Sequence, residues 1–207
     1  MRHAAILLAA TILCAAEAHA AGSDPDWPCV QRKVPELSLG QIWNGPELPP
    51  TAAHWADNED VAALIEEVSA RRVPIAKAQG EIRDFAGTLQ PGAAMETLAM
   101  LAQGLFDHMN VERSEVISGI GRYARKQAEI AAELRKEASE LDALRATTDA
   151  SATEITDRTD RLNWQTRVFE ERVQSLTYVC EVPTLIEQRL FALSKTIAEL
   201  MKTTKSE

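Results

Sequence analysis

The sequence predicts an all-α protein: an elongated antiparallel helical hairpin or a coiled-coil-like three- to four-helix bundle, carrying an extended strap on its N-terminal side. Three observations lead there. Apolar residues recur at sevens through most of the 207-residue chain, and no segment sustains the alternation of a strand. Prolines and tryptophans crowd into one stretch ahead of the first helix.

Residues 1–20 read as a signal peptide rather than as fold. Met1-Arg2-His3 is a short positive start, and Ala4 to Ala16 is an apolar run too short to span a bilayer. Ala18-His19-Ala20 puts small residues where a signal peptidase cuts, so cleavage is expected after Ala20. A lipid anchor at Cys14 would need a small residue before it, and Leu13 stands there. The expected location is therefore the periplasm, with no membrane insertion after cleavage. Export leaves Cys29 and Cys180, and two cysteines in an oxidising compartment predict one disulfide.

The strap is predicted over 21–56. Six of the nine prolines and three of the four tryptophans lie in it, and proline is excluded from helix interiors. This stretch should be extended or turn-like. A disordered tail would gain nothing from Trp27, Trp43 and Trp55, so the segment is expected to lie across the helical part.

The bundle domain is predicted over 57–207. Asp57 suits a helix N-cap, and the acids after it suit the positive end of the helix dipole. Val61, Val68, Ile75, Ile82 and Leu89 keep one phase across Pro74, which predicts a single kinked helix ending at Gln90-Pro91-Gly92. Ala102, Met109, Val116, Tyr123 and Ile130 hold the next heptad, and Asn110 and the glycines 119 and 121 are its weak points. A break near Asn110 would divide this element in two. Ser151-Ala-Thr-Glu154 matches a capping box, and Ile155, Leu162, Phe169 and Leu176 carry the last seam. Pro183 is expected to interrupt that helix just after Cys180, making a docking point for the strap. Unbroken, the two long elements would each reach roughly 75–80 Å.

Composition narrows function. A net charge of −9 repels phosphates and anionic lipid, so nucleic acid is not an expected partner. No nucleophile elbow, zinc-protease motif or P-loop is present. Gly119-Ile-Gly121-Arg-Tyr-Ala124 imitates a dinucleotide fingerprint but sits inside a helix, where it has no meaning. His54, Asp57, Glu59 and Asp60 form the one cluster with metal-ligand chemistry, though without the spacing of a calcium loop. His108 with Met95, Met100 or Met109 is better read as packing than as haem ligation.

The expected function is thus non-enzymatic: an exported interaction, scaffold or accessory protein, with no cofactor. Its partner would be a cell-envelope protein or a second copy of itself, met through Trp27, Trp43 or Trp164. The alternative is a periplasmic protein that binds a metal ion or small cationic ligand on its acidic surface at His54–Asp60.

Overall fold

A computed structural model describes Asp24 and residues 26–204; the predicted signal segment and Cys14 lie outside the described residues. The elements are α1 (Leu39–Ile42), a 3-10 helix (Pro50–Asp57), α2 (Glu59–Ser69), α3 (Ile75–Thr88), α4 (Pro91–Arg145) and α5 (Ala152–Thr204). The described residues contain no strand, and the protein is all-α.

The chain combines both predicted architectures. Helices α4 and α5, of 55 and 53 residues, each run about 80 Å and pack antiparallel through a turn at 146–151. Ser151 opens α5, its Oγ accepting from the Glu154 N–H at 3.4 Å, as the capping pattern predicts. At one end, α2 and α3 join the two long helices in a four-helix head. Ile65, Ile82, Leu105, Leu190, Leu193 and Ile197 are fully buried there. Beyond it the hairpin continues alone as a two-helix stalk. The predicted seam of Ile155, Leu162, Phe169 and Leu176 lies in the stalk and is only half-buried, because two helices cannot cover both sides of their shared seam.

Four local expectations are corrected. The helix predicted across Pro74 is two helices: α2 stops at Ser69, and Pro74 becomes the N-cap of α3. The unbroken apolar phase reflects two helices burying the same face, and Arg189 supplies the physical reason for the stop. From α5, its buried guanidinium donates to the Val68 carbonyl at 2.6 and 2.8 Å and to the Val73 carbonyl at 2.8 Å. These bonds satisfy acceptors that a helix end leaves open. The N-cap of α2 is Asn58, whose Oδ1 accepts from the Val61 N–H at 3.1 Å, one residue beyond Asp57. Helix α5 is continuous through Pro183, where an interruption was expected, and α4, whose continuity at Asn110 was left open, is unbroken there. Pro183 removes one backbone donor yet is itself buried in the packed base of the hairpin. Finally, the strap is not wholly extended, since it contains α1 and the 3-10 helix.

Candidate interaction surface

The stalk has two long grooves between α4 and α5, and the strap fills the base of one. Cys29 is bonded to Cys180, with Cα atoms 5.5 Å apart, closing a loop across 151 residues. The strap then runs antiparallel to α4. Asp26 pairs with Arg125 at 2.9 Å, above the buried Gly121. Arg113, itself buried, donates from one terminal nitrogen to the Val34 carbonyl at 2.6 Å. Its Nε and other terminal nitrogen meet Glu187 of α5 at 2.6 Å. Ser114 Oγ donates to the Pro35 carbonyl at 2.8 Å. Asn110 takes both polar groups of one strap residue: its Oδ1 accepts from the Leu37 N–H at 3.0 Å, and its Nδ2 donates to the Leu37 carbonyl at 3.4 Å. The residue that looked like a helix breaker reads the strap's backbone instead.

The strap also braces itself. Lys33 pairs with Asp24 at 2.6 Å, and this ammonium holds the Asp24 carboxyl below its ordinary value. Trp27 donates its indole N–H to the Gln31 carbonyl at 2.6 Å, and Trp43 donates to the Pro46 carbonyl at 2.6 Å. Trp43 also packs on the head core. Trp55 donates to Asp107 at 3.1 Å and packs so close to Gly104 that even a methyl group there would meet its ring. Of the three tryptophans expected to meet a partner, Trp27 and Trp43 thus have partners within the fold. Trp164 is 65% exposed.

Trp164 borders the opposite groove, a channel of about 400 Å³ whose floor is Ile130, Leu134, Val168 and Phe169. Its α4 edge carries Glu133 and Glu137, and its α5 edge carries Arg161 and Arg172. Two rungs fix the register across it. Arg158 donates to Glu137 at 3.0 Å and to Glu140 at 3.2 Å, and the Tyr123 hydroxyl donates to the Arg172 carbonyl at 3.4 Å. The Arg158 guanidinium holds the Glu137 carboxyl below the usual carboxylate range. On the same side of α5, Tyr178 is 76% and Leu185 51% exposed. With Trp164 they fall on one heptad stripe, interrupted only by Glu171. Sequence reasoning named Trp164 but missed Tyr178 and Leu185, although their sevenfold spacing from Trp164 was available as a signal.

The cation cluster does not assemble. His54 Nδ1 and Asp57 Oδ2 are 3.6 Å apart, and both side chains are largely exposed. Glu59 and Asp60 are exposed in the first turn of α2, where their charges complement the positive end of the helix dipole. No group of three or more potential ligands converges among the described residues. Met109 is buried in the head core. Among the described residues no helix is long and apolar enough to cross a membrane.

No family model, curated protein or solved structure matches this chain.

Proposed function

We propose that this is an exported, non-enzymatic interaction protein of the periplasm, a scaffold or accessory subunit that offers its stalk to another protein chain. One observation carries the reading: an open apolar groove, edged by opposite charges and bordered on α5 by Trp164, from which the exposed Tyr178 and Leu185 continue the same heptad stripe toward the head. Large side chains exposed in a row mark contact surfaces, whereas scattered ones do not. A Trp or Tyr of this kind is the usual anchor of an interface. The signal-like residues 1–20 and the disulfide both agree with an oxidising compartment. A cation-binding role at His54–Asp60 lacks a third converging ligand among the described residues, so the stalk reading is favoured.

Sedimentation velocity of the native protein in osmotic-shock extract tests this proposal. Wild type should sediment faster than a single processed chain, and Trp164→Ala/Tyr178→Ala should return it to the monomer rate with helicity intact. Equal rates for the two proteins would overturn the reading.

A further inference from the structure

Resting on that interaction reading, we infer that the occupant of the open groove is a second copy of this chain. The two stalks lie side by side, with both heads at the same end.

The strap occupies the base of one side of the hairpin and leaves the other side free along its length. At 100° per residue, Cys180 and Trp164 point about 160° apart around α5. At the base of the stalk one groove is therefore closed by a covalent clasp, and beyond Arg125 it continues as a channel of about 380 Å³ lined by Ala131, Leu134, Leu162 and Phe169. The opposite groove keeps its apolar floor uncovered and carries Trp164. The open groove is also electrically divided along its length: acids line its α4 edge and arginines its α5 edge. Among the described residues, Glu133, Arg161 and Arg172 make no intrachain ion pair, unlike Glu137 with Arg158.

Two such faces can meet about two different two-fold axes. An axis along the stalk sets α4 of each copy opposite α5 of the other, with the heads together. An axis across the stalk sets α4 on α4 and α5 on α5. The Arg158–Glu137 rung places Arg161 level with the turn between Glu133 and Glu137. The first axis therefore brings Glu133 and Glu137 to Arg161 of the partner subunit, twice by symmetry. The second stacks acid on acid and arginine on arginine. An isologous interface must be complementary to itself, and this face is so only about the first axis. Rim charges of this kind select register and orientation rather than supply affinity. The apolar contact comes from Trp164 and Val168 of each copy packing over the floor of the other.

The area suffices. From Trp164 to Leu185 the stripe runs about 32 Å, and two helices abreast are roughly 20 Å wide. Each copy would then contribute roughly 600 Å², and the pair about 1,200 Å², where stable interfaces begin.

The test is photo-crosslinking in the cell, with p-benzoylphenylalanine in place of Gln165, on the groove edge, in the full-length chain. The expected product has twice the chain mass, with the label joined to the α4 segment around 129–141 of the other copy. A dimer joined only from α5 to α5 would overturn the shared direction. A product with a different protein would overturn the second copy while leaving the interaction reading standing. No product at all would remove both. Sedimentation equilibrium of purified charge variants supplies an independent reading. Glu133→Arg and Arg161→Glu should each weaken dimerisation about ten-fold or more, and the double exchange should recover to within about three-fold of wild type. Single variants that dimerise like wild type, or a double variant as weak as the singles, would refute the pairing.

Discussion

Replacing Arg189 with methionine should cost the head about 2–4 kcal/mol, because it strands two carbonyl acceptors that the buried, charged fork satisfies. Arg189 is 9% exposed, and its guanidinium spans the end of α2, holding the Val68 and Val73 carbonyls. Hydrogen bonds from a charged donor are each worth about 1.5–3 kcal/mol, and a stranded buried acceptor costs about 1–3 kcal/mol. Burial disfavours the charged guanidinium and pushes its pKa down. Deleting it therefore recovers some desolvation energy, which keeps the net loss below the sum of the bonds. Methionine retains the length of the stem, so the loss reports the polar contacts rather than a cavity. Arg189→Lys should fall between the two, since one ammonium cannot span both carbonyls as a planar fork does. The assay is denaturant unfolding followed by far-ultraviolet circular dichroism, with exposed Lys195→Met on the same helix as the control. An Arg189→Met stability within about 0.5 kcal/mol of wild type, the ordinary range for a surface change, would refute the capping role.

Three further outcomes are expected. Gly104→Ala should destabilise by about 1–3 kcal/mol through overpacking, because its Cβ would lie 2.5 Å from Ile65 and 2.6 Å from the Trp55 ring. Gly80→Ala, with nothing within 4 Å, should stabilise α3 by about 0.5–1 kcal/mol; thermal melts read both signs. Reducing Cys29–Cys180 should destabilise the fold by up to the ~5 kcal/mol that chain entropy assigns to so long a loop, which a lowered melting temperature reads. Limited proteolysis should then cut residues 26–38 while α4 and α5 survive. The strap should also loosen in acid. The folded Asp24 carboxyl titrates below its ordinary 3.8 because Lys33 donates to it, so its contribution is full above that value. It is lost as pH falls through the lowered folded value. Hydrogen exchange across the strap should accelerate there, and Asp24→Asn should remove that part of the response.

Much of the fold was legible in the sequence, because heptads report burial directly. Ile186, Leu190, Leu193 and Ile197 keep helical apolar spacing in the sequence and form the buried wall of the head. The seam through Leu162 and Phe169 was equally visible, but periodicity cannot say how many helices cover a face, and here only one does. Pro74 was misread, and continuity at Asn110 stayed open, for a related reason. What decides a helix end is often a side chain far away in sequence. Arg189 stops α2 from across the head, while the strap turns Asn110 from a weak point into a contact. Arg113 and Arg189, both buried, interrupt apolar heptads in a way that could have marked them as structural cations; their acceptors are backbone carbonyls, which no sequence pattern announces. At the candidate site, Trp164 could be found by composition. The division of acids and arginines between the groove's edges required the register of α4 against α5.

The central claim is that the open face of the stalk is covered where the protein works. Hydroxyl-radical footprinting with mass spectrometry, applied to the protein in its own cells and to the dilute purified chain, tests it most directly. Trp164 and Tyr178, at 65% and 76% exposed, should be strongly labelled in the dilute chain and protected in the cell. Trp43 and Trp55, packed against the head core, should be labelled alike in both. Equal labelling of Trp164 and Tyr178 in the two settings would contradict the account.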